Sequence, residues 1–159
     1  MPSATQQKLA RLYARVSPVL AGRPGSSLLT RAHAGILRRS GGRVGRNLFG
    51  SPLLVLRTVG RRSGSVRESP AIYVRHGDGY VVVASNGAST RPPAWFLNLE
   101  ATPDCEALVG GRWRKLHARA ASEAEATELW PLLDATYAGF DHYRSVATRE
   151  FPVVVLEPR

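Results

Sequence analysis

An apolar run, Leu53-Leu54-Val55-Leu56, leads into Thr58-Val59-Gly60-Arg61-Arg62-Ser63-Gly64 and then into a second extended stretch. Glycine adopts backbone angles closed to other residues and lets a ligand approach the main chain. Two glycines around Arg-Arg-Ser therefore predict a tight turn between two paired strands. Arginine carries a planar fork that grips phosphate or carboxylate through parallel bonds. The turn has the makings of an anion site. Glycine and serine are also ordinary turn residues, so the turn alone fits a solvated hairpin equally well.

The strand pattern continues from there. Val66 to Arg75 alternates loosely and contains Pro70, which points to an edge or a bulge. His76-Gly77-Asp78-Gly79 reads as a hairpin turn. Tyr80-Val81-Val82-Val83-Ala84 is β-branched and suits a central strand. These runs predict an antiparallel meander. Cys105–Val109 and Trp113–Ala121 predict a second hairpin around Gly110-Gly111, and Val153–Leu156 a closing strand. Ser122-Glu123-Ala124-Glu125 is a capping box, opening a helix to about Thr136 that Pro131 should kink or stop early.

Ahead of the strands lie two helical patterns. Residues 4–16 place Ala4, Leu9, Leu12, Tyr13 and Val16 on one face, with Gln7, Lys8, Arg11 and Arg15 elsewhere. Pro18 should end that helix. A second runs from Ser27 to about Arg39, closed by Gly41-Gly42. Both fit helices packed on the strands with their charges in water. The alternative is a surface helix on an anionic membrane. The chain divides on this basis into a basic helical extension, residues 1–42, and a strand domain, residues 43–159.

Charge is unevenly placed. The net charge is +10, yet residues 1–67 carry thirteen basic side chains and no acid before Glu68. Residues 68–159 hold nine basic residues (22 − 13) and all 12 acids, a net of −3. A basic first third favours an anionic partner. No helix-turn-helix or aromatic-basic RNA motif is present, so no specific nucleic acid is expected. No apolar run reaches the roughly 18 residues of a membrane span, and the N-terminus lacks a signal-peptide core. A single cysteine, Cys105, fits a reducing cytoplasm, with peripheral attachment to the membrane's inner face as the variant.

A polar loop interrupts the strands at Ser85-Asn86-Gly87 and enters a short helix through Pro92-Pro93, where the missing N–H costs nothing. Trp95 and Asn98 lie three apart on one helical face: an aromatic slab beside an amide, able to wall a flat ring. A core-filling Trp95 with Asn98 as a cap is the plainer reading. Four scattered histidines and one cysteine give no metal-ligand spacing. Nucleophile elbow, phosphate loop and dinucleotide fingerprint are absent. A chain offering anion clamps, aromatics and hydroxyls suits an enzyme whose cofactor carries the chemistry.

Four segments together resemble the deazaflavin-dependent nitroreductase family, which uses coenzyme F420. They are Leu-Arg-Thr-Val-Gly-Arg-Arg-Ser-Gly (56–64), Tyr-Val-Val-Val-Ala-Ser-Asn-Gly (80–87), Pro-Ala-Trp-Phe-Leu-Asn-Leu (93–99) and Arg-Glu-Phe-Pro-Val-Val-Val-Leu-Glu-Pro (149–158). They keep the family's order and spacing over about two thirds of the chain, fading before residue 43. The resemblance implies a mainly β fold with helices, a split β-barrel of the FMN-binding type built from antiparallel strands. It implies hydride transfer from reduced F420 to a quinone, enone or nitroaromatic acceptor, with FMN as the alternative cofactor.

By the same resemblance, Thr58, Gly60, Arg61, Arg62, Ser63 and Gly64 hold the cofactor's phosphate or acidic tail. Ser85, Asn86 and Gly87 line its ring and phosphate, and Ala94, Trp95 and Asn98 form the adjoining wall. Ser85 is the candidate catalytic donor, and Tyr137, Phe140 and Tyr143 the substrate-side aromatics. Two positions depart from the family's nitroimidazole reducers: Phe140 replaces a tyrosine, and Asn86 a lysine.

Overall fold

A computed structural model of the chain describes residues 1–21, Ala32, Gly35, Ile36, Arg39 and residues 47–159. The strands are β1 (Asn47–Leu48), β2 (Ser51–Val59), β3 (Val66–His76), β4 (Gly79–Val83), β5 (Asp104–Val109), β6 (Arg112–Ala120) and β7 (Val153–Pro158). Their order is β1-β2-β3-β4-β7-β6-β5, and β2 also pairs with β5. That last pairing closes six strands into an antiparallel barrel, with β1 appended to β2. Closure gives every barrel strand a partner on both sides along at least part of its length, which limits the edge available for aggregation. The expected split-barrel class, meander and second hairpin are all present.

Period-2 alternation explains the continuous apolar runs. In β4, Tyr80 and Val82 face the barrel interior, with Leu54, Leu56, Leu116, Val154 and Leu156. Val81 and Val83 face the other way, into a second layer with Val153, Val155, Leu129 and Leu133. Both faces of β4 and β7 are covered, so neither strand needs polar residues at alternate positions. The two-residue turn Gly77-Asp78 joins β3 to β4 as expected, with Gly77 at φ 55°. Gly79 is required by close approach: a Cβ there would lie 2.2 Å from the Leu156 carbonyl oxygen. Pro70 sits where β3 has β2 on one side only, since the β4 ladder begins at Tyr73. That is a local edge, as its missing N–H demands.

The described helices are α1 (Ala4–Ala21), α2 (Ala94–Ala101), α3 (Glu123–Thr136) and α4 (Gly139–Val146). The stop expected at Pro18 is corrected: helix α1 continues past it to Ala21. Of the two outcomes open at Pro131 the early stop does not occur, α3 reaching Thr136 as expected. An interior proline costs a helix about 3 kcal/mol. In α3, burial of Leu129, Leu133 and Thr136 offsets that cost. In α1, the Ala14 carbonyl that Pro18 cannot serve accepts a long bond from the Ser17 hydroxyl, 3.4 Å.

The buried face of α1 is also corrected. The helix packs through its small residues, Ala10, Ala14 and Ser17. Leu9, Leu12, Tyr13 and Val16 are left exposed. Small side chains let α1 sit close to α4 and to the loop after β4. Gln7 fastens it there: its amide nitrogen donates to the Ala135 carbonyl and its oxygen accepts from Ala138 N–H. Most of the second predicted helix, Ser27–Arg39, lies outside the described residues. No described helix is long and apolar enough to cross a membrane.

Candidate functional site

The Gly60–Gly64 turn is a closed backbone unit. Gly60 N–H donates to the Ser65 carbonyl at 2.8 Å, and the Gly60 carbonyl accepts from Gly64 N–H at 2.7 Å. Gly64 has φ 65°, the left-handed region that glycine tolerates. Ser63 works inside the turn, its hydroxyl accepting from Ser65 N–H and from an Arg67 Nη2. Arg61 and Arg62 are exposed on this rigid base.

Asn98 on α2 locks the turn to the barrel. Its Oδ1 accepts from Arg61 N–H at 3.1 Å and from Arg61 Nη1 at 3.4 Å. Its Nδ2 donates to Thr58 Oγ1 at 3.1 Å. The structure thus joins Thr58, Arg61 and Asn98 in one hydrogen-bonded set, which replaces the helix-cap reading of Asn98. Neither Arg61 nor Arg62 pairs with a carboxylate among the described residues, whereas Arg57, Arg119 and Arg144 all do. Two consecutive exposed arginines without a carboxylate partner among the described residues suit an acidic ligand.

The second part of the site is the loop leaving β4. Asn86, Gly87 and Ala88 have φ of 49°, 60° and 62°, three successive left-handed residues. For Asn86 and Ala88 that conformation costs about 1–2 kcal/mol each, so other contacts must hold it. Asn86 Nδ2 donates to the Arg91 carbonyl at 2.9 Å. Asn86 therefore staples the loop. The Ser85 hydroxyl has no hydrogen-bond partner among the described residues and is free to donate to a ligand.

Sequence reasoning missed Arg149. Its guanidinium donates to the carbonyls of Ala84, Ser85, Ser89, Arg91 and Glu150, at 2.9–3.3 Å. It also lies 4.9 Å from the Phe151 ring. Burial lowers its pKa from the ordinary arginine value. The only signal in the sequence was its place at the head of the fourth matched segment.

The remaining expected residues fall into two groups. Ala94 is exposed at the start of α2. Trp95, 7 % exposed, packs in the barrel interior, edge-on to Phe96. Most of its ring serves the core. Tyr137, Phe140 and Tyr143 are brought together, with ring centroids 5.1–6.5 Å apart, but they are buried beneath α1 and beside Ala88. The Tyr143 hydroxyl meets Ser17 Oγ at 2.7 Å and the Tyr137 hydroxyl at 3.4 Å. Burial raises both tyrosine pKa values, so both rings stay neutral at physiological pH. No group of three or more His, Cys, Asp or Glu positioned for a metal occurs among the described residues.

Comparison with known proteins agrees with this geometry. The sequence profile of the F420H(2)-dependent quinone reductases matches residues 29–158. An F420H(2)-dependent quinone reductase of Mycobacterium tuberculosis is 36 % identical over 135 residues, 82 % of this chain and 91 % of that protein. A solved F420-H2 dependent reductase superposes with a TM-score of 0.62 at 28 % identity, covering 67 % of this chain and 94 % of its own. A second solved structure, described as a domain-swapped dimer, gives 0.64 at 25 % identity, covering 84 % of this chain and all of its own. With the barrel, the arginine turn and the loop after β4 all in place, the chain belongs to the F420H(2)-dependent quinone reductase family.

Proposed function

We propose that the chain binds coenzyme F420 between its Gly60–Gly64 turn and its Ser85–Gly87 loop and passes hydride from the reduced cofactor to a quinone. The carrying observation is the Thr58–Asn98–Arg61 set, which fixes a turn whose two guanidinium groups lack carboxylate partners among the described residues. A flat deazaflavin with a phosphodiester and an acidic tail suits that charge. When bound and reduced, the cofactor supplies the hydride. The protein's share is binding and placement. Arg61 and Arg62 hold the anionic tail at the surface through charge-assisted bonds that salt weakens. The Ser85 hydroxyl donates toward the acceptor atom that gains charge. Tyr137, Phe140 and Tyr143 close the substrate side beneath α1. We take residues 43–159 as the reductase domain, with α1 (Ala4–Ala21) docked on it through Ala10 and Ala14.

The test is a titration of the purified protein with F420, FMN and FAD. Saturable binding of F420, with a Kd that rises with salt and about tenfold or more in Arg62→Ala, is the expected outcome. Binding of FMN in preference to F420, or no F420 binding at high micromolar concentration, overturns the reading.

A second property rests on α1. Leu9, Leu12 and Val16 recur at helical spacing and are 47 %, 59 % and 49 % exposed, with Lys8, Arg11 and Arg15 around them. This stripe supports peripheral attachment to an anionic membrane surface, where lipid-soluble quinones reside.

A further inference from the structure

We propose that Arg149 is the positioning residue of the cofactor loop, setting the direction of the backbone N–H groups that face the ligand. The inference rests on the F420 reading. Arg149 spends its donors entirely on main-chain carbonyls: Nε on Ser89, Nη1 on Glu150, and Nη2 on Ala84, Ser85 and Arg91. Three of these distances are 3.0 Å or less. Four of the five acceptors, Ala84, Ser85, Ser89 and Arg91, belong to the segment that leaves β4. One side chain from the stretch before β7 therefore gathers both ends of the loop to a single point.

Peptide planarity converts that grip into an orientation. In a trans peptide the N–H of one residue points opposite to the preceding carbonyl. With the Ala84, Ser85 and Ser89 carbonyls drawn to Arg149, the N–H groups of Ser85, Asn86 and Thr90 are directed away from it. They form a row of donors backed by a cation. Arg149 has no carboxylate partner among the described residues, so its charge is not cancelled locally. Its depressed pKa fits a cation held in partly dry surroundings by dipoles alone. Such a row suits an anionic oxygen or the acceptor edge of a flat ring. The strained Asn86–Ala88 triplet persists because Arg149 and the Asn86 amide hold its flanks together.

A lysine keeps the charge but presents a point donor that cannot span five carbonyls. Arg149→Lys and Arg149→Ala therefore separate charge from geometry. Three measurements are made on each variant and on the wild type: melting temperature, Kd for F420, and amide hydrogen exchange at residues 84–91 without ligand. Both variants should show faster exchange confined to the loop and a Kd raised about tenfold or more. Millimolar methylguanidinium should restore part of the affinity in Arg149→Ala, which a general loss of stability would not permit. Arg57→Gln, in the ion-pair cluster on the barrel wall, should lower the melting temperature and leave the Kd unchanged. Unchanged loop exchange in Arg149→Lys overturns the inference, even if the wild type binds no F420. So does a wild-type Kd in folded Arg149→Ala. Absence of F420 binding by the wild type instead overturns the functional reading, and the exchange data still decide whether Arg149 holds the loop.

Discussion

Asn98 is 3 % exposed and its amide is used at both ends, holding Thr58 with its nitrogen and Arg61 with its oxygen. Removing it leaves the Thr58 hydroxyl, itself buried, without its partner. An unsatisfied buried polar group costs about 1–3 kcal/mol. Asn98→Ala is expected to lower stability by that amount in urea denaturation and to raise the Kd for F420, because Arg61 loses its anchor. A Kd unchanged from wild type would detach the turn from cofactor binding. Cys105 behaves oppositely. Burial in the barrel, then the nearby Asp104 and Glu106 charges, push its thiol up to about 12. It should resist a thiol reagent at pH 8 in the folded protein and react fully in denaturant. At this scale the sequence was partly legible. The Arg61, Arg62 and Asn98 residue types suggested an anion site. The pairing of Asn98 with Thr58 and Arg61 needs three elements in contact, and no local pattern encodes it. Arg149 was invisible as a clamp for the same reason: its acceptors are backbone carbonyls, which carry no residue identity.

Helix α3 starts on a complete capping box. Ser122 Oγ accepts from Glu125 N–H, and Ser122 N–H donates to Glu125 Oε2. Arg119 on β6 adds a bidentate grip on the same carboxylate at 2.8 Å and reaches Glu157 on β7. Hydrogen bonding from Arg119, then from Ser122, lowers the Glu125 pKa to about 2 from 4.5. A carboxylate with a depressed folded-state pKa stabilises the fold above its unfolded value and loses that contribution as pH falls through the folded one. Stability should therefore decline between about pH 4.5 and pH 2 through this group. Glu125→Gln should flatten that part of the acid titration followed by circular dichroism at 222 nm. An identical acid profile in the variant would show that other carboxylates carry it. The box was readable because capping is local. The α1 face was not. Leu, Tyr and Val at helical spacing predict burial, yet the barrel accepts only the alanine side, where close approach to α4 matters more than apolar area.

Across the whole molecule, the barrel follows from counting strands and turns, but its closure through the β2–β5 pairing depends on residues about fifty apart and appears only in the fold. The charge partition was visible from the outset. Its consequence depends on α1, docked with small residues inward and large apolar ones outward. Lys8, Arg11 and Arg15 near an anionic bilayer are worth roughly 1 kcal/mol each, enough together for about a hundredfold enrichment at the surface. Insertion of Leu9, Leu12 and Val16 would add to this, since each leaves about half its side chain in water. The protein should co-sediment with vesicles containing phosphatidylserine, less with pure phosphatidylcholine, and less again in high salt. Leu9→Gln, Leu12→Gln and Val16→Gln together should weaken co-sedimentation to what the basic residues alone sustain while leaving F420 titration unchanged, because none of the three side chains is buried against the barrel. Wild-type protein that stays in the supernatant with anionic vesicles would refute membrane attachment through α1. Loss of F420 binding in the triple variant would instead mean that the outer face of α1 helps form the cofactor site.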